Sequence, residues 1–165
     1  MSVASAINIG KVIYNILRYD NDVRVAFNNP GANNALGTSG GDTYIASAIQ
    51  PAPLKDLKSL PAFASKPRGI VYEVNSISPL NIKREFRTQT APIYVVGFSL
   101  DVFHYVYRLC NELSTASINA LEKSVNNTYN GIKISGIKFD NSRENFNEKK
   151  EFCVKEIDLT ARILI

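Results

Sequence analysis

Near the N-terminus, apolar residues recur at the spacing of one face of a helix. This pattern predicts an amphipathic helix over about residues 4–19. Its apolar members are Ile9, Val12, Ile13, Ile16 and Leu17. The polar residues at 20–22 offer a helix cap, so a short helical turn is expected over 23–27.

A second apolar stripe lies in the middle of the chain. Its members are Val102, Val106, Leu109 and Leu113. With Asp101 as the cap, this stripe predicts a helix that begins at that residue and continues to about 125. His104 would then lie off the stripe, on a solvated helix face.

Alternation of apolar and polar residues predicts strands over 69–77, 93–100, 132–139 and 151–165, with 44–49 as a fifth candidate. Residues between the first two of these strands would form the tip of a long hairpin. The third strand contains Ser135 and Gly136, where we expect a bulge. The polar residues that follow it, 140–150, are predicted to form a turn.

The stretch 28–67 is expected to be an extended insertion rather than part of the core. Its first half, 28–42, is rich in Gly and Asn, and its second half, 50–67, contains four prolines that exclude continuous helix or central strand. An arm of this kind could reach a neighbouring subunit. The candidate contact residues are Pro51, Pro53, Leu54, Leu57, Leu60, Pro61 and Phe63.

Together these elements predict an α+β fold in a single domain, 1–165. The expected core is an antiparallel β-sheet of about four or five strands with two main helices packed on one face. The extended arm and the long hairpin are additions to that core.

Composition and charge narrow the function only slightly. The chain has 165 residues, a net charge of +4 and a sequence pI of about 9.1, which permit contact with nucleic acid without demanding it. We expect neither a membrane span nor a signal peptide, because no apolar run is long enough and the first residues lack a basic segment.

Candidate catalytic chemistry is sparse. One histidine, His104, and two cysteines, Cys110 and Cys153, cannot form a metal site at a known ligand spacing, and they point to a reducing compartment. Both cysteines are expected to be small buried apolar groups. No set of residues predicts a catalytic, cofactor-binding or metal site, so we expect a protein that is not an enzyme and has no cofactor.

Two features could contact nucleic acid. Lys83, Arg84 and Arg87 are three cations within five residues at the predicted hairpin tip, where they could touch phosphates or an acidic protein surface. The second feature is a set of aromatic residues, which would fit an alternative function, that of a small RRM-like nucleic-acid-binding module. In that module the stacking residues on an open sheet face would be Tyr72, Tyr94 and Phe98.

Four motifs occur in a distinctive order along the chain. They are the end of the first helix with 17–23, the strand beginning Pro67-Arg68-Gly69-Ile70-Val71-Tyr72, the segment 95–99, and the segment 131–140 followed by Phe146. This order resembles that of the tail-terminator, or tail-completion, proteins of tailed bacteriophages, which act in head–tail joining. Each motif is unspecific alone, and their order covers nearly the whole chain. The insertion 28–67 is longer than the link that this family usually has.

This resemblance implies a structural virion protein made in the host cytoplasm. Such a protein would form a ring, six-fold or twelve-fold, that caps or joins the tail and surrounds the DNA channel. Its partners would be further copies of itself, neighbouring phage tail, connector or portal-complex proteins, and packaged DNA through non-specific contact. Lys83, Arg84 and Arg87 would face the channel or the adjacent ring.

Overall fold

The structure is a computed structural model. It describes residues 3–27, 45, 48–52, 68–80, 93–147 and 152–165, with side chains given throughout these ranges except at 3–7 and 145–147. The helices are α1 (Val3–Tyr19), α2 (Asn21–Phe27) and α3 (Tyr107–Lys123). The strands are β1 (Ile49–Pro51), β2 (Arg68–Pro79), β3 (Ile93–His104), β4 (Thr128–Tyr129), β5 (Ile132–Asn147) and β6 (Phe152–Leu164).

These strands form one mixed sheet in the order β1-β2-β3-β6-β5-β4, in which β1 runs parallel to β2 and every other pair is antiparallel. The α+β class is confirmed. The prediction of an antiparallel sheet with four or five strands is wrong, because β1 and β4 add two short edge strands. Strands of three and two residues are too short to produce a readable alternation in the sequence.

The core lies between one face of the sheet, here called the inner face, and the helices. Alternate residues of β3 and β6 fill this face, as the pleat of a strand requires. The buried members are Val96, Phe98, Leu100, Val102, Ile157, Leu159, Ala161 and Ile163. Residues of both α1 and α3 line one small apolar cavity of about 20 Å³ with these strands, so both helices pack on the inner face. A cavity with only apolar lining holds no ordered water, since water needs polar partners.

The helical turn after α1 is confirmed. Asp20 caps α2, because its Oδ1 accepts hydrogen bonds from the backbone N–H groups of Asp22 and Val23 at 2.9 and 3.1 Å. Asp22 then forms an ion pair with Lys123 at 2.6 Å, which joins α2 to the end of α3. None of the described helices combines the length and apolar character needed to cross a membrane.

The second helix begins later than its apolar stripe predicts. Residues 101–104 belong to β3, and α3 begins at Tyr107, so Asp101 is not a helix cap. His104 is not on a solvated helix face but is completely buried in a strand. The alternation of Leu100 and Val102 continues to His104, and this pattern of period two was the signal that the helical stripe obscured.

The last hairpin is longer than predicted. The bulge at residue 135 is confirmed, since Ile134 pairs with Ile163 and Gly136 with Arg162. The predicted turn over 140–150 is wrong for 140–147, where β5 continues, because pairing to β6 can hold a polar edge strand in place. The predicted strand 44–49 is also wrong, since residues 45 and 48 are helical and β1 begins at 49.

Candidate functional site

The face of the sheet opposite the helices, here called the outer face, carries four carboxylates near its centre. We call these residues the acidic cluster: Glu73, Asp101, Glu156 and Asp158. Asp101 lies directly opposite Glu156 across β3 and β6. Glu73 and Asp158 both pair with Ser99 and are therefore diagonal neighbours of Asp101. Like charges in directly opposed positions destabilise a sheet.

Burial and repulsion act together on Asp101. Partial burial raises the pKa of this carboxyl, and the charges of Glu156, Glu73 and Asp158 raise that pKa further. Arg143 has the opposite, smaller effect on the same pKa. The neighbouring carboxylates therefore disfavour the charged form of Asp101.

A row of cations lies on the same face along β5. The residues are Lys133, Lys138 and Arg143, which we call the basic strip. Their register against Leu164, Thr160 and Glu156 of β6 places all three on the outer face. Arg143 contacts Glu156 at 3.2 Å, and Lys138 contacts Asp140 at 3.6 Å with 80% of its side chain exposed. The outer face is therefore acidic near its centre and basic along one edge.

A second group of chemically interesting side chains is buried beneath the first turn of α3. His104 lies opposite Arg68 on β2 and opposite Cys153 on β6, and Cys110 of α3 contacts the backbone of Cys153. Nδ1 of His104 accepts a hydrogen bond from the backbone N–H of Val106 at 2.9 Å. This bond fixes the conformation of the short link between β3 and α3.

Burial lowers the pKa of His104 to about 4, and the nearby charge of Arg68 lowers it further in the same direction. The imidazole is therefore neutral at physiological pH. Its ring stacks on Tyr105 with the ring centroids 4.7 Å apart. His104 acts here as a neutral acceptor that positions backbone.

The two cysteines are both free and buried, as the sequence predicted. The Sγ of Cys110 lies 3.5 Å from the carbonyl oxygen of Val102 and 3.6 Å from that of Cys153. Burial raises the pKa of Cys110 to about 12, and burial also raises the pKa of Cys153. Because the thiolate is the reactive form, both groups are poor nucleophiles at neutral pH.

Among the described residues, no group of three or more His, Cys, Asp or Glu side chains is arranged to hold a metal ion. The apolar cavity between α1, α3 and the sheet is lined by neither the histidine nor the two cysteines. The contacts that the structure gives these buried side chains are packing and hydrogen bonding.

Most of the residues predicted from the sequence to make contacts fall outside the described ranges. These are Lys83, Arg84, Arg87, Pro53, Leu54, Leu57, Leu60, Pro61 and Phe63. Pro51 is described and ends β1, where it is exposed at the edge of the sheet. A proline fits there because an edge strand leaves alternate backbone groups without a partner in the sheet.

The aromatic residues of the RRM-like alternative lie on the covered inner face. Phe98 is only 2% exposed, and Tyr94 pairs with the buried Ile163. Tyr72 packs against Tyr14 of α1 with the ring centroids 6.5 Å apart. Because Phe98 is buried and Tyr72 packs against α1, these two rings are not open to stacking bases.

The acidic cluster is the feature that sequence reasoning missed. Asp101 was assigned to a helix, so its position beside Glu156 and Glu73 on one face could not be seen. A signal was present in the alternation through 98–104, which continues the strand past Asp101.

Comparison with known proteins is informative at the level of the fold. No protein-family model matches the chain, and no curated protein matches it. A solved structure described as "Virion of native gene transfer agent (GTA) particle" contains a chain with a similar fold. The match has a TM-score of 0.56 and 15% identity, and it covers 99% of this chain and 100% of the other. At this identity the likeness shows a common fold.

Proposed function

We propose that this protein is a structural subunit of a phage-like virion. The observation that supports the proposal is the fold match to a chain of a gene transfer agent particle, which extends over 99% of this chain. A match over both whole chains differs from a match to a shared fragment, since it includes the helices, the sheet and their order.

Within that particle, we propose that the chain forms a ring at the tail or at the head–tail junction. This finer role comes from the order of sequence motifs that resembles tail-terminator and tail-completion proteins. Its partners would be further copies of itself and neighbouring virion proteins, with non-specific contact to the DNA that passes through the ring. A closed ring needs heterologous contacts, in which two different surfaces of each subunit meet.

Oligomeric state tests this role directly. We expect the purified chain to give one defined oligomer by native mass spectrometry and a ring with a central hole by negative-stain electron microscopy. In purified virions, quantitative peptide mass spectrometry should find the chain in a small, fixed copy number. A chain that stays monomeric at all concentrations and is missing from virions would exclude the proposal.

A further inference from the structure

The sheet has two long stretches of strand edge with no partner among the described residues. At one end, β4 pairs only with Lys133 and Ile132 of β5, which leaves β5 without a second neighbour from 135 to 147. At the other end, β1 pairs only with 70–72 of β2, which leaves 73–79 open. We call these the β5 edge and the β2 edge.

Register shows which backbone groups the β5 edge presents. Ile134 exchanges backbone hydrogen bonds with Asn126 and Asn127, at 2.7 and 3.0 Å, so its N–H and C=O point away from β6. Residues in register with alternate positions of β6 share this direction. On the described register they are Ile134, Ile137, Phe139, Ser142 and Glu144.

The β2 edge follows the same logic. The carbonyl of Tyr72 accepts a hydrogen bond from the N–H of Ala52 at 2.9 Å, so Tyr72 directs its backbone toward β1. Val74 and Ile77 pair with alternate residues of β3 in the same series as Tyr72. Their N–H and C=O groups therefore point out of the sheet at this edge.

Side chains at the two edges match on both faces. On the inner face, the β5 edge carries Ile137 and Phe139, and the β2 edge carries Val74 and Ile77. Phe139 exposes 45% of its surface, which is a large apolar area for an edge strand. On the outer face, the basic strip follows the β5 edge, and Glu73 of the acidic cluster lies at the β2 edge.

Resting on the proposed ring, we propose that the β5 edge of one subunit pairs with the β2 edge of a second copy and so continues the sheet from subunit to subunit. Backbone hydrogen bonds would join the edges, apolar residues would meet on the inner face, and opposite charges would meet on the outer face. Because two different edges meet, the contact is heterologous, as a ring requires.

Bulges and charges on an edge strand commonly prevent unwanted pairing, and β5 has both. The exposed Phe139 has the opposite effect, since a protected edge hides its apolar side chains. The bulges divide β5 into shorter regular runs, 136–139 and 141–147. Bulges pin the register of paired strands, so contact that extends across them specifies one register between the two copies instead of allowing indefinite sliding.

The test blocks each edge separately. Ser142→Pro removes an outward-pointing N–H from the β5 edge at an exposed residue, and Ser142→Ala is its matched control because it keeps that N–H. Ile77→Pro blocks the β2 edge. If circular dichroism shows that this variant does not fold, the exposed Glu73→Arg takes its place by opposing the basic strip.

Size-exclusion chromatography with light scattering gives the readout. We expect rings from the wild type and from Ser142→Ala, and monomers from each blocked variant alone. An equimolar mixture of the two blocked variants should give a heterodimer and nothing larger, because one intact pair of edges remains.

The possible results separate the two claims. If the wild type forms rings and the folded blocked variants also form rings, the pairing of edges is wrong while the proposed function stands. If the blocked variants stay monomeric but their mixture forms no heterodimer, the β5 edge does not meet the β2 edge, and the pairing is wrong again. A wild type that is itself monomeric contradicts the proposed ring.

Discussion

At the scale of single residues, His104 shows how burial changes the role of a side chain. A lone histidine near an aspartate suggests acid–base chemistry, but here the ring is fully buried and accepts a hydrogen bond from Val106. Removing the acceptor would leave the N–H of Val106 without a partner in a partly buried place, which costs about 1–3 kcal/mol. The residue therefore contributes to stability through hydrogen bonding.

The first prediction concerns His104 and pH. The unfolded chain binds a proton at this residue near pH 6.5, whereas the folded protein does so only near its pKa of about 4. Between these values the unfolded state holds the extra proton, so the free energy of unfolding falls as pH falls, by at most about 1.4 kcal/mol per pH unit. Urea unfolding of the wild type from pH 7.5 to 4 measures this loss.

His104→Asn is the control for that measurement. An asparagine oxygen can accept from the N–H two residues later, so the backbone bond is kept while the titrating group is lost. We expect this variant to lose less stability on acidification than the wild type does. Parallel pH profiles for the two proteins would mean that His104 does not titrate in this window.

At the scale of elements, two glycines have different roles: one lies in the turn between β4 and β5, and the other follows the bulge in β5. Asn130 and Gly131 both have positive φ angles, 50° and 80°, as a two-residue hairpin turn requires. Gly136 follows the bulge in β5, and a Cβ added there would meet nothing within 4 Å. The same substitution should therefore have unequal effects at 131 and 136.

The second prediction compares these two positions. Gly131→Ala places a Cβ in the left-handed region and should lower the free energy of unfolding by about 1 kcal/mol. Gly136→Ala should change it by less than about 0.5 kcal/mol, because the site is open. Equilibrium denaturation of both variants measures the difference. Equal losses at both positions would show that the turn does not need its left-handed conformation.

The sequence predicted long elements better than short or polar ones. The first helix was clear because Ile9, Val12 and Ile16 repeat over several turns, and β6 was clear from its alternation. The end of β3 was missed because Val102 fits both a strand and a helical stripe with Leu109. The polar half of β5 was missed because its pairing with β6, not its own composition, keeps residues 140–147 extended.

At the scale of the whole molecule, the charge distribution matters more than the net charge. The outer face carries the acidic cluster near its centre and the basic strip along one edge, and the ion pair of Arg143 with Glu156 joins the two groups. Lys83, Arg84 and Arg87 add a third group of charges along the chain. The sequence could reveal this last group because its members are adjacent. It could not reveal the acidic cluster, whose members come from three strands.

The third prediction concerns DNA contact by the assembled protein. The proposed rings should bind duplex DNA weakly and without sequence preference, with an affinity that falls as salt rises. Reversing Lys83, Arg84 and Arg87 to Glu should remove this binding in filter-binding titrations and leave the thermal unfolding midpoint of the subunit unchanged. If the triple variant yields infectious particles in normal number, these cations contact neither DNA nor an adjacent ring.

The buried thiols of Cys110 and Cys153 offer a native probe for the separation of α3 from the sheet. A thiol-labelling reagent cannot reach either group while α3 covers β6, and burial, which raises both pKa values, keeps the enclosed thiols protonated. Opening exposes the thiols and removes the burial that raises their pKa values, so alkylation follows opening. The rate of alkylation therefore counts how often this helix separates from the sheet. Comparing the alkylation rate in free subunits and in assembled particles would show how much assembly suppresses this opening, without any engineered probe.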